Sequence, residues 1–170
     1  MTDLNLVCID FQECHLLASL KNSLDEILLS SINLRKEDLK LNNYFQPDRG
    51  QYDASGILSH YDKKDFIGRT ILLTSVDLFI PIFTFVFGLA KLNGKTGIVS
   101  SYRLKSEYYG LPADENLLKT RLIKEIVHEF GHLLNLRHCP DYHCVMASSN
   151  TADDLDIKGN RFCKLCLSKI

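Results

Sequence analysis

No stretch of this chain is apolar for long enough to cross a membrane, and neither sign of charge dominates it. Its 20 Lys and Arg stand against 21 Asp and Glu, a formal net charge of -1. A transmembrane helix needs about 20 consecutive apolar residues, and a balanced charge exerts no general pull on nucleic acid or an anionic membrane surface. The first ten residues, MTDLNLVCID, lack the basic and then apolar pattern of a secretory leader. Internal repeats and low-complexity segments are missing too, which excludes solenoids and disordered tails. A cytoplasmic protein is therefore expected, with no nucleic-acid or membrane partner, and its function must be sought in a particular site.

At 170 residues, 45% apolar and 24% charged, the chain has the size and composition of a single globular domain, 1–170, able to bury a core without disulfides. LNLVCI (4–9) reads as a buried strand, and apolar residues at 16, 17, 20, 24, 27 and 28 recur at helical spacing. INLRKEDLKLNN supplies a second strand, YFQPDRG a loop, and QYDASGILSHYDKK a short helix. This alternation predicts an α/β layer. GRTILLTSVDLFIP is a long strand-like run, and the Asn93-Gly94 pair predicts a hairpin joining antiparallel strands over 84–90 and 96–103. Asp114 is placed to cap a long amphipathic helix carrying Leu118, Leu122, Ile126 and Phe130 at four-residue steps.

That helix ends in HEFGHLLNLRHCPDYHCVM (128–146). On a helix His128 and His132 lie about 40° apart and one turn apart, so both imidazoles reach one metal, and Glu129 stands beside it. Continuing the helix would carry His138 roughly 15 Å further along the axis and about 280° around it. The third histidine returns to the metal only if the helix stops between it and His132. Asn135, the residue there best able to take the left-handed conformation, is the predicted helix-terminating turn.

Cys139, Cys144, Cys163 and Cys166 follow a C-x4-C-x18-C-x2-C spacing, close to patterns in which two pairs of thiolates hold a structural zinc. Two disulfides, or four unrelated thiols, are the competing readings, and His143 is a substitute ligand. Cys8 and Cys14 are isolated and receive no role. His138 and Cys139 are adjacent, so one peptide unit would join two metal sites.

The HExxH, Asn135, His138 and Met146 series resembles the metzincin metalloproteases, whose motif HExxHxxGxxH is followed by a methionine turn. Within them it resembles the archaemetzincins, which add the pattern matched here by Cys139, Cys144-Val145-Met146 and the CxxC of Cys163 and Cys166. GQYDAS from Gly50 and FVFG from Phe85 extend the resemblance upstream, while Asn135 departs from the usual glycine. The resemblance implies an α+β metzincin-like fold: a mixed twisted sheet with an antiparallel edge strand, a long active-site helix and a small zinc-stabilised C-terminal lobe. The chain would divide into subdomains 1–135 and 136–170.

The function expected is that of a zinc-dependent metallopeptidase acting on peptide or protein substrates as a monomer. It would hold two zinc ions: one catalytic on His128, His132 and His138, with Glu129 as general base and acid toward the metal-bound water, and one structural on the four cysteines. Met146 would floor the site, and the FTFVFGL segment is either a substrate-pairing edge strand or a core strand. The alternative function is a non-catalytic zinc protein using the same fold to bind a peptide or protein partner.

Overall fold

The alternating strand and helix patterns at the start of the chain fold as layers. A computed structural model describes residues 3–64 and 66–170. In chain order the elements are β1 (Leu4–Cys8), α1 (Leu17–Leu28), β2 (Ile32–Lys36), β3 (Phe45–Gln46), β4 (Gln51–Asp53), α2 (Ala54–Tyr61), β5 (Arg69–Thr74), β6 (Leu78–Phe79), β7 (Gly88–Ala90), β8 (Thr96–Ser100), α3 (Glu115–Leu133), α4 (Ala152–Ile157) and α5 (Lys164–Leu167).

The main sheet runs β2-β1-β5-β8-β7, parallel throughout except for β7, which pairs antiparallel with β8 and forms one edge. Side chains alternate between its faces. Leu4, Leu6, Cys8, Ile71, Leu73 and Val99 pack with α1 and α3, whereas Val7, Ile9, Leu72 and Ile98 pack with α2 on the other side. Strands buried on both faces are what parallel sheets with helices on both sides require. Cys144, Val145, Met146, Leu155 and Cys166 from the C-terminal segment join the α3 side of this core.

Three sequence expectations change. The strand-like run from Gly68 breaks in two, because β5 ends where its partner β1 gives way to Asp10, a non-glycine residue at φ 50 whose carbonyl accepts from the Ser75 amide at 3.0 Å. The hairpin strands are shorter than predicted: the first is β7 alone, and the second stops at Ser100 before a 3-10 turn over Tyr102–Leu104. A second sheet, β3-β4-β6, was not foreseen at all; it places the Gly50–Tyr52 region beside the segment preceding β7. The long helix starts as expected, with Asp114 accepting from the Leu117 amide at 2.8 Å.

Candidate active site and metal centre

Helix α3 ends in the way the spacing of the histidines demands. Asn135 takes φ 68, its amide donates to the His132 carbonyl at 2.9 Å, and the Leu136 amide donates to the Gly131 carbonyl at 2.9 Å. These two bonds, with a left-handed residue between them, are the Schellman ending of a helix. Arg69 Nε covers the Leu133 carbonyl at 2.8 Å, and the Asn93 amide of the hairpin loop donates to the His132 carbonyl at 2.9 Å. The chain then doubles back, bringing the His138 ring centroid within 5.3 Å of His128 and 5.1 Å of His132.

Two of the imidazoles are oriented from behind. His128 Nδ1 donates to the Val145 carbonyl and His132 Nδ1 to the Leu136 carbonyl, each at 2.8 Å. This leaves their Nε2 atoms facing each other 3.1 Å apart, and one ring nitrogen from each of the three histidines falls within a 4.8 Å cluster. Burial, reinforced by the Lys158 ammonium, holds His128 well below the usual imidazole value, and burial lowers His132 and His138 as well. These shifts favour the neutral imidazole, the form that binds metal. Zinc–nitrogen bonds of about 2.0 to 2.1 Å in a tetrahedron set nitrogens about 3.3 Å apart, so the donor set fits a zinc ion held by three nitrogens with one position left for water or substrate.

Glu129 is buried on the same helix, and its Oε2 has no hydrogen-bond partner among the described residues. Above it lies β7: a β-carbon on Gly88 would come within 2.7 Å of Glu129 Oε1 and 2.8 Å of its Cγ. One turn back along α3, Glu125 is also buried, and Lys158 Nζ reaches it at 3.3 Å while donating to the Ala147 carbonyl at 3.3 Å. Burial, with the charge of Glu125 added, pushes the Glu129 carboxyl well above the usual range, and Lys158 opposes this. Beneath the histidines, Met146 is fully buried against Gly131, where any β-carbon would overlap its sulfur. The three histidines, Glu125, Glu129 and Lys158 line a cleft of about 340 Å³ between β7 and α3, with Ser148, Ser149 and Asn150 also on its wall.

The four cysteines converge in the same C-terminal segment. Cys139 and Cys163 sulfurs are 3.8 Å apart, as are those of Cys144 and Cys166. A disulfide needs about 2.05 Å, whereas zinc at about 2.3 Å from each of four tetrahedral sulfurs sets them about 3.8 Å apart. The Cys163 amide also donates to the Cys144 sulfur at 3.4 Å, as amides do to metal-binding thiolates, and hydrogen bonds bring the Cys163 thiol down to about 7. The Cys139 amide donates to the Met146 carbonyl at 2.9 Å, tying the cysteine cluster to the floor of the histidine cluster. His143, the candidate substitute ligand, lies outside the four-sulfur group.

Comparison with known proteins decides which family builds this pair of clusters. The pattern of Peptidase family M54 matches residues 24–170. The chain belongs to this family of zinc metallopeptidases. It is 39% identical over 155 residues to an archaemetzincin of Methanocaldococcus jannaschii, covering 91% of this chain and 85% of that one. It is 46% identical over 129 residues to an archaemetzincin of Pyrococcus horikoshii, covering 74% of this chain and 69% of that one. Among solved structures, the archaemetzincin of Archaeoglobus fulgidus, complexed with malonate, superimposes with a TM-score of 0.85 at 33% identity over 99% of both chains. A zinc-dependent peptidase from Methanocorpusculum labreanum does so with a TM-score of 0.88 at 30% identity, covering 98% of each chain.

For an M54 peptidase, three features of this centre escaped the reading of the sequence. Gly88 closes the quoted FVFG, and a glycine inside a strand often marks close approach of another group; that signal was available. Gly131 sits inside HEFGH, where its contact with Met146 depends on how far the chain folds back. The buried Glu125 and Lys158 pair joins distant parts of the chain, and no spacing rule brings them together.

Proposed function

We propose that His128, His132 and His138 hold the catalytic zinc of this peptidase and that Glu129 is its general base and then its general acid. The observation that carries the assignment is Glu129 itself: a buried carboxylate with one unpartnered oxygen, rooted between two histidines whose free nitrogens converge. A purely structural centre has no use for such a group. Bound zinc would acidify a water toward a pKa near 7 and polarise the substrate carbonyl. Glu129 takes the proton released during attack and passes it to the departing amine, so the enzyme forms no covalent bond to the peptide. Burial and Glu125 raise the proton affinity of this carboxylate, which strengthens it as a base, while Lys158 and the charge of a bound zinc would favour its ionised form before attack.

The free edge of β7 is where the substrate docks. The Ser100 amide donates to the Phe87 carbonyl at 2.8 Å, so Phe87 and Leu89 turn their backbone groups toward β8. By the alternation of an antiparallel ladder, Gly88 and Ala90 direct theirs outward over the cleft. A peptide adds there as a further strand.

Cys139, Cys144, Cys163 and Cys166 hold a second, structural zinc that stabilises a 136–170 subdomain and fixes His138 through its neighbour Cys139. The active unit is read as a monomer, in which each cluster gathers its side chains from a single chain. The test is hydrolysis of a diverse peptide library by wild type and Glu129→Ala at equal zinc loading. Cleavage falling at least about a hundredfold in the variant is expected, and equal rates would overturn the assignment.

A further inference from the structure

The outer wall of the cleft, formed by residues 80–88, contains little regular structure. Between β6 and β7 its one ladder contact is an isolated antiparallel bridge of Leu78 with Val86. An irregular wall keeps one shape only if its backbone groups find partners elsewhere, and here side chains from neighbouring elements provide them. Arg49 Nη2 donates to the carbonyls of Phe83 at 2.9 Å and Thr84 at 3.0 Å, while its Nε donates to Gln51 Oε1 at 3.1 Å. Gln51 Nε2 donates to the same Thr84 carbonyl at 3.0 Å and to Asp77 Oδ2 at 3.1 Å. Asp77 accepts two further bonds from Arg103, both at 2.7 Å.

The two guanidinium groups also lie over aromatic rings in and next to the wall. Arg49 lies 4.3 Å over the Phe79 ring and Arg103 lies 4.3 Å over the Phe85 ring, the latter a lining residue of the cleft. Gln51 and Asp77 are buried at the centre of this network, each amide and carboxylate atom named above engaged. Tyr52, the residue after Gln51, donates its amide to the Asp77 carbonyl at 2.9 Å, so the second sheet carries the network as a unit.

We propose that Arg49, Gln51, Asp77 and Arg103 form a clamp that sets the shape of the wall at residues 83–87 and thereby positions the edge of β7 for peptide binding. These are positioning residues: none of the four lines the cleft. The proposal rests on the reading of β7 as the docking edge. It explains why a second sheet of very short strands is built beside the site, since Gln51 reaches the wall from β4 while Asp77, the residue before β6, holds the Gln51 amide. The Phe83 and Thr84 carbonyls are already occupied by the clamp, so they are not available to pair with a peptide.

Arg49 is exposed, so Arg49→Met removes its bonds without opening the core, and Arg49→Lys restores donors but not the bond to Gln51. The experiment follows hydrogen exchange at residues 80–88, zinc content, and kcat and KM on the library peptide cleaved fastest by wild type. In Arg49→Met, exchange in the wall accelerates and KM rises about three- to tenfold, as loss of one or two hydrogen bonds predicts, while kcat stays within about twofold and zinc content holds. Arg49→Lys falls between. Unchanged exchange, unchanged KM, or a fall in kcat with KM unaltered would each overturn the clamp. If wild type cleaves no peptide, the peptidase reading fails separately, and affinity of the same peptides for wild type and Arg49→Met decides the clamp in place of KM.

Discussion

Gly88 of the edge strand rests directly on Glu129 of the helix that carries His128 and His132, with room for no side chain between them: a β-carbon there would sit 2.7 Å from Glu129 Oε1. The proposed docking strand and the proposed proton carrier are in contact because one residue lacks a side chain. Gly88→Ala must displace either the strand or the carboxylate. Cleavage is expected to fall about a hundredfold, in line with the cost of an ångström-scale misplacement, with metal content unchanged. Full activity in the alanine variant would show that Glu129 can work from another position.

Asn135 holds its left-handed conformation at a strain glycine would not feel. Valine at φ 68 costs roughly 1–2 kcal/mol more than glycine, and its readiest relief is to unwind the turn that returns His138. Asn135→Val is expected to weaken the histidine site for zinc about tenfold in chelator competition, and Asn135→Gly to match or exceed wild type. Equal zinc affinity in the valine variant would mean that the ligands, not the turn, determine the chain's path.

Gly131 and Met146 form a second pair of this kind. A β-carbon on Gly131 would overlap the Met146 sulfur and approach Phe162 to 2.9 Å. Gly131→Ala should lower stability by about 1–3 kcal/mol through overpacking. Combining it with Met146→Ala should cost less than the sum of the two single changes, since each relieves the other. Strict additivity in thermal unfolding would remove the direct contact from the account.

Away from the metal centres, acid stability should depend on Glu13. Burial alone would raise its carboxyl, but Lys105 at 2.5 Å, Ser75 at 2.6 Å and Ser101 at 2.7 Å outweigh it and hold the group below its ordinary value of 4.5. A depressed carboxylate stabilises the fold above its unfolded pKa and loses that contribution as pH falls through the folded one. Glu13→Gln should therefore be less stable than wild type by about 1–3 kcal/mol near neutrality, with the gap closing below pH 4.5. A difference independent of pH would assign the loss to packing. Comparing the two chains cancels metal release, which acid causes in both.

The helix, its histidines and the cysteine quartet were legible because each obeys a local rule. The helical repeat places His128 beside His132, a left-handed residue is needed before His138, and thiolate pairs recur at zinc spacing. The hairpin was legible for the same reason, and Asn93 does take φ 55. What stayed hidden was set by contacts between distant segments. Strands of two and three residues such as β3, β4 and β6 are too short to show a period. Neither Arg49 nor Gln51 carries a sign that its partner will be the wall beyond β6. Strand β7 came out shorter than the 84–90 run because Val86 bridges to Leu78 on the other side and the Thr84 carbonyl goes to Arg49 and Gln51.

Residues 128–146 are proposed to end one metal site at His138 and begin another at Cys139. X-ray absorption at the zinc edge, on fully loaded wild type and on Cys163→Ser, tests it most directly. Two zinc ions per chain are predicted in wild type, one bound by three imidazoles and a light atom and the other by four sulfurs. In Cys163→Ser the sulfur site should be weakened, and the histidine site should lose affinity with it because His138 is no longer held. A single zinc per chain, or mixed nitrogen and sulfur coordination at one centre, would contradict the claim.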